Sequence, residues 1–175
     1  IRNVTLPLAL LTQERAKVYG LEYDGWKKAV NNALTMDLKG IAQRGRDVAT
    51  MLEKAHMVHL TAANGTDLTF ELNKRQVHID DGIIDENDIV KKSFDAQLPA
   101  GSVLTTIVET SGNGKIVSDR PQQLMGLNML GLEFRFKDGK LAEMTAKKNL
   151  EPLAEQFKKA SGDKDRIGFI QIGLN

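Results

Sequence analysis

Residues 57–72 read "MVHLTAANGTDLTFEL", and they mark the point where the period of the chain changes. Before Met57, apolar residues recur every three or four positions, the spacing of one helix face. From Met57, "MVHLTA" and "DLTFEL" alternate on either side of an Asn64-Gly65 turn, the pattern of two strands with one buried face each. A helical lead-in followed by a strand-rich body places the chain in the α+β class.

Upstream, Thr12 is the expected N-cap of a first helix, with Glu14 in its first turn and Gly20 as its stop. Asp24 is the expected cap of a second helix that carries Trp26, Val30 and Leu34 on one face. A third helix is expected from about Lys39 to Ala55, with Ile41, Val48, Met51, Leu52 and Ala55 as its apolar stripe. Packing of these helices on a sheet is the preferred reading of Trp26 and the stripe; a ligand groove is the lesser one.

Downstream, "RQVHID" (75–80) is a third alternating run, set off by an Asn73-Lys74 turn. Residues 80–97 read as a polar loop, and "LPAGSVLTTIVE" (98–109) leads into another strand. Ser111-Gly112-Asn113-Gly114 reads as a hairpin turn. The clearest hairpin is "LEFRF" (132–136), Lys137-Asp138-Gly139 and "KLAEMTAKK" (140–148). Asn149 is the expected cap of a helix lined by Leu150, Leu153, Ala154 and Phe157 and ended by Gly162, and "RIGFIQIG" (166–173) closes as a strand. The expected organisation is therefore one α+β unit over 1–175, with a helical lead-in over about 1–55 and a mixed sheet body over about 56–175.

Composition narrows the function. Lys and Arg number 24 against 23 Asp and Glu, so the formal charge is +1, and aromatics make up 5% of the chain. Nucleic-acid binding needs a clustered basic face with interleaved aromatics, and that class is set aside. No apolar run reaches the length of a membrane span. There is no cysteine, which removes disulfides, thiolate metal sites and cysteine nucleophiles and leads us to expect a cytoplasmic setting. The apolar, strand-like ending "IGFIQIGLN" leads us to expect a piece of a longer chain.

Each local constellation has a plain structural reading. Ser102 sits in Ala100-Gly101-Ser102-Val103-Leu104, without the two glycines of a Gly-x-Ser-x-Gly nucleophile elbow. His59 and His78 fall in neighbouring expected strands and could face each other, but a metal site needs three or four converging ligands. His56 suits a helix C-terminus, and all three histidines are read as structural. Asp80, Asp81, Asp85, Glu86 and Asp88 lack the spacing of a calcium loop and are read as solvated. "SGNGK" (111–115) is too short for a phosphate-binding loop.

Several stretches together resemble one family. "ANGTDLTFEL" (63–72), "LPAGSVLT", "NGKIV", "LEFRFKDGKL" and "RIGFIQIGLN" resemble, in order, the amino-terminal region of the aminopeptidase T/aminopeptidase S group of thermophilic metallo-aminopeptidases. The matching motif residues are Gly65, Thr66, Asp67, Pro99, Gly101 and Gly168. The resemblance implies two metal-binding glutamates, one in a Pro-x-Gly-Glu-Val turn and one in an Ile-Gly-Glu strand. Here those positions hold Ser102 and Phe169. It also implies divalent cations (zinc or cobalt), peptide substrates, a homodimer, and further ligands from a carboxy-terminal domain absent from this chain.

A neutral hydroxyl is a poor replacement for a carboxylate ligand, and a phenyl ring offers no donor. The expectation is a domain related to metal-dependent aminopeptidases that, as this chain, is inactive and metal-free, with no catalytic residues and no cofactor. Two alternatives stay open for the site: a rearranged set using Glu109 or Glu133, and a correspondence shifted by a residue or two. The alternative for the whole chain is a non-enzymatic peptide-binding or oligomerisation module that kept the fold.

Overall fold

The computed structural model describes residues 2–118 and 120–175. The chain opens with β1 (Asn3–Thr5), a short 3-10 turn (Leu8–Leu11), α1 (Gln13–Val18), α2 (Tyr23–Leu34) and α3 (Leu38–Lys54). There follow β2 (Met57–Thr61), β3 (Asp67–Glu71), β4 (Val77–Asp80), α4 (Glu86–Val90), β5 (Asp95–Gln97) and β6 (Ser102–Thr106). The last third holds β7 (Asn113–Val117), β8 (Gln122–Leu124), β9 (Leu127–Met129), β10 (Glu133–Lys137), β11 (Lys140–Thr145), α5 (Leu150–Lys159) and β12 (Phe169–Gly173). The α+β reading holds: helices lead, a sheet-rich body follows, and a helix and strand close the chain.

Thr12 caps α1 as expected, its Oγ1 accepting the Arg15 N–H at 3.2 Å, and Gly20 follows the helix with φ +68°. Glu22, not Asp24, precedes α2, and Asp24 lies in its first turn instead. On α3 the buried face is Ile41, Ala42, Gly45 and Ala49, while Met51 is 63% exposed. Of the expected stripe, Ile41 is buried and Leu52 and Ala55 pack on the core, so Met51 is the member that misses. Gly45 contributes no side chain, and its bare backbone is what meets the sheet: a Cβ there would stand 2.6 Å from Ile79 Cγ2. α1 and α2 pack against each other and the 3-10 turn, with Tyr19 stacked on Trp26 at 5.2 Å, so among the helices of the lead-in it is α3 that lies on a sheet.

A five-stranded antiparallel sheet runs β11-β10-β7-β3-β2, and a three-stranded antiparallel sheet runs β12-β6-β4. β1 and β5 form a parallel pair, and β8 and β9 a small hairpin. The 57–72 hairpin forms about the expected turn, with a register from Met57↔Glu71 to Thr61↔Asp67. So does the hairpin at Lys137-Asp138-Gly139, with a bulge between Arg135 and Phe136.

Three local expectations are corrected. The Asn73-Lys74 turn does not extend the first hairpin, because β4 belongs to the other sheet. Ser111-Gly112-Asn113-Gly114 is not a hairpin turn, because β6 pairs with β4 and β12 while β7 pairs with β3 and β10. The 80–97 region is not all loop: Asp85 and Asp88 form a capping box that starts α4, and β5 pairs with β1.

One core cluster gathers Leu68, Phe70, Leu72 and Ile107, with Leu52, Val58, Phe136 and Ile170 packed around it. A second gathers Met129, Leu132 and Leu153, through which α5 covers the β10–β11 end of the sheet with Phe134 and Met144. Full burial of each such side chain is worth about 1.5–3 kcal/mol.

Two glycine substitutions separate close approach from helix propensity. Gly45→Ala is expected to destabilise by about 1–3 kcal/mol through overpacking against Ile79. Gly25→Ala on α2, where a Cβ meets nothing within 4 Å, is expected to stabilise by up to about 1 kcal/mol. Urea unfolding of both variants checks the opposite signs.

Candidate functional site

Alternation along β6 places Val103 and Thr105 on one face and Ser102, Leu104 and Thr106 on the other. The first face is fully buried, with Val103 and Thr105 at 0% exposure. It lies under α3, since Ile79, the residue Gly45 approaches, is the register partner of Val103. The second face is largely open. Across it, Ser102 stands between Asp80 on β4 and Gly173 on β12, Leu104 between His78 and Gln171, and Thr106 beside Phe169. Directly opposite residues in such pairs hold their Cβ atoms about 4.5–5.5 Å apart.

Ser102 and Phe169 therefore share this face, but four register positions separate them, about 13 Å along the strand. Ser102 is buried, and its Oγ accepts a hydrogen bond from Gln171 Nε2 at 2.8 Å. Phe169 is 55% exposed and offers no donor atom. The turn into β6 is tightly held. Gly101 adopts φ +116°, its N–H donates to Asp80 O at 2.9 Å, and its carbonyl accepts from Leu174 N–H at 2.9 Å. That φ lies in the region that favours glycine. Pro99 follows a cis peptide bond, and Asn175 Nδ2 donates to Ala100 O at 2.7 Å.

The other motif residues do structural work. Thr66 is buried; its Oγ1 accepts from Val117 N–H at 3.0 Å and so fastens the first hairpin to β7. Gly65 takes φ +94° in the hairpin loop, and Asp67 Oδ1 meets His59 Nε2 at 2.8 Å. Gly168 O accepts from Ile107 N–H at 3.3 Å, where β12 begins.

His59 and His78 do not face each other, because they lie in different sheets. Glu109 pairs with Arg75 at 3.3 Å, and Glu133 with Arg135 at 2.7 Å; neither belongs to the β12-β6-β4 sheet. In the acidic stretch, the Asp88 backbone N–H holds the Asp85 carboxyl below its ordinary range, with the Asn87 N–H helping. Among the described residues, no three of His, Cys, Asp and Glu gather as a metal-ligand set. Gln171, His78 and Asp80 were not singled out from the sequence as members of this face. Alternation puts Gln171 in frame with Phe169, but only the strand register brings it to Ser102.

Asp80 also borders a groove of about 410 Å³ with Arg46, His78, Asp85 and Asp95. Burial raises its carboxyl above the ordinary 3.8, and the neighbouring Asp81 charge adds to this, while a bond from the Gly82 N–H opposes it. The fold thus holds this proton more tightly than the unfolded chain. The stability it lends is complete below the ordinary value and is lost as pH rises through the raised one. Asp80→Asn is expected to abolish that loss, so the variant unfolds at a higher temperature than the parent at neutral pH. The difference should close or reverse in acid, and thermal unfolding across pH reads both.

Residues 35–168 match the thermophilic metalloprotease (M29) family. Among curated proteins no sequence matches. Among solved structures, wild-type AmpT from Thermus thermophilus aligns with a TM-score of 0.65 at 20% identity, over 88% of this chain and 39% of that one. The 2,5-dihydroxypyridine dioxygenase from Pseudomonas putida KT2440 aligns with a TM-score of 0.64 at 18% identity, over 85% of this chain and 42% of that one. The chain spans about two fifths of the length of either structure, and at these identities the likeness is one of fold. The family match covers most of the chain, from the end of α2 to the residue before Phe169, and on that basis the chain belongs to the thermophilic metalloprotease (M29) family.

Proposed function

We propose that this chain is the amino-terminal domain of a metallo-aminopeptidase relative whose metal-binding face has lost its two glutamates, so that the chain alone neither holds a dinuclear centre nor cleaves peptides. The observation that carries this reading is the pairing of Ser102 Oγ with Gln171 Nε2 at 2.8 Å. At the first family ligand position, a neutral hydroxyl is already engaged by an amide of its own sheet. At the second, Phe169 presents a hydrocarbon ring to solvent. A dinuclear centre needs several carboxylates to hold two cations and balance their charge, and these two residues do not fit that need. Glu109 and Glu133 are each engaged by arginine away from this face, which weighs against a rearranged set.

The family's divalent cations, zinc or cobalt, therefore have no place in this domain on our reading. The cysteine-free composition supports a cytoplasmic setting. The non-enzymatic alternative, a peptide-binding module, draws support from the same open face, where half-exposed Phe169 lies in the row beside Gln171 and Leu104. The fold likeness to a dioxygenase also supports treating this architecture as separable from peptide hydrolysis.

Equilibrium dialysis against zinc or cobalt should leave the chain without stoichiometric metal, and leucyl-p-nitroanilide should not turn over. Stoichiometric metal together with robust turnover would overturn the reading. Ser102→Glu with Phe169→Glu should raise metal affinity in a protein that also carries the family's carboxy-terminal domain, and change little in this chain alone. Phe169→Glu itself is expected to cost no more than about 0.5 kcal/mol, because the side chain is exposed.

A further inference from the structure

The chain contains two Asn-Gly pairs, Asn64-Gly65 and Asn113-Gly114, and the fold treats them differently. In such a pair the backbone nitrogen of the glycine can attack the asparagine amide, because no Cβ crowds the approach. Gly114 lies inside β7, which runs between β3 and β10, and a Cβ there would stand 2.1 Å from Asp67 O. Backbone hemmed in on both edges leaves the Asn113 side chain no room to fold over it.

Asn64 sits instead at the tip of the 57–72 hairpin, where Gly65 is exposed at φ +94°. Its Oδ1 accepts the Thr66 N–H at 3.0 Å, closing an Asx-turn that curls the side chain over the Gly65 peptide. The same N–H polarises the Cγ=Oδ1 bond and is in place to meet the charge that gathers on Oδ1 when Cγ is attacked. Lys115 supplies a cation. Its Nζ is 3.7 Å from where a Gly65 Cβ would stand, and it also reaches Glu133 at 3.9 Å. A positive charge this near favours loss of the Gly65 amide proton. The bond from Gly65 N–H to Ala62 O, at 3.0 Å, opposes that loss but lies in an exposed loop, open to solvent.

We propose that Asn64 is a self-modifying position, at which the fold speeds the chain's own deamidation. Hydroxide takes the Gly65 amide proton, and the nitrogen bonds to Asn64 Cγ. The Cγ–Nδ2 bond breaks, Nδ2 takes a proton from water and leaves as ammonia, and a succinimide remains. Water then opens that ring at either of its two nitrogen–carbonyl bonds, leaving aspartate or isoaspartate at 64. The intact amide donates from Nδ2 to Val117 O at 2.8 Å, beside the Thr66–Val117 bond that fastens the hairpin to β7. A carboxylate has no proton to donate there and sets an anion against that carbonyl. Deamidation therefore loosens the join between the 57–72 hairpin and β7, a one-way change that marks the age of the chain.

Incubation of the folded chain at neutral pH, with peptide mass spectrometry at both pairs, tests this against the chain held unfolded in urea. Folded Asn64 is expected to convert several-fold faster than it does in urea, and folded Asn113 several-fold slower. Lys115→Met is expected to lower the folded Asn64 rate several-fold and Lys115→Arg to preserve it, with circular dichroism reporting the fold. Asn64→Asp, which fixes one product in place, is expected to lower the thermal unfolding midpoint. A folded rate at Asn64 no faster than in urea would overturn the proposal, as would an unchanged rate in folded Lys115→Met. If Lys115→Met fails to fold, the folded-to-urea ratio at Asn64 decides alone. An unchanged midpoint for Asn64→Asp would overturn the loosening.

Discussion

The joint on which this structure turns is the run from β6 into Ile107. Val103 and Thr105 lie at 0% exposure between α3 and the paired strands β4 and β12, and Thr105 Oγ1 donates to Gln76 O at 3.0 Å. Two residues further on, Ile107 is equally buried and sits in the cluster with Leu68, Phe70 and Leu72. One short stretch therefore belongs to the core of both sheets. Gly45 brings α3 down on one side of it, and the Gly101 turn fixes where it starts. A slip of one residue along β6 would exchange its two faces, burying Ser102 and Leu104 under α3 and turning Val103 and Thr105 to solvent. Register here is held by apolar burial and not by any site chemistry.

That separation explains how side chains on the open face can vary while the fold persists. The backbone features of the family motifs remain: the φ of Gly101, the Thr66 fastening of the first hairpin, and the Gly168 carbonyl that meets Ile107. Each serves packing or hydrogen bonding and would be needed with or without a metal. The exposed side chains of the open face, Phe169 among them, carry no such packing duty. Ser102 carries a hydroxyl that Gln171 satisfies, and Phe169 occupies an exposed site where the fold tolerates many side chains. A buried, unpaired carboxylate beside Asp80 would be costly without a cation, which gives serine a physical reason to stand there.

Much of the fold was legible because its signals are local. The change of period at Met57, the Thr12 cap and the Lys137-Asp138-Gly139 hairpin each follow from neighbouring residues. The failures are of two kinds. Membership of β4 and β6 in a second sheet is decided by pairing with β12, far away in sequence, which no local turn announces. Ala42, Gly45 and Ala49 escaped the stripe read on α3 because they are small, and α4 and the β8–β9 hairpin were hidden by a polar stretch and a Met125-Gly126 turn. On the open face, the resemblance drew attention to Ser102 and Phe169, and alternation alone would have put Gln171 in frame with Phe169. That Gln171 reaches Ser102, and that Asp80 flanks it, required the register.

On the proposed reading, this face is a scaffold whose stability owes nothing to a cation. Thermal unfolding of the chain in EDTA and in excess zinc tests it directly, because a ligand that binds the native state raises its midpoint in proportion to occupancy. The same midpoint is expected in both. A rise of several degrees in zinc, reversed by EDTA and lost on replacing residues of the open face, would contradict it.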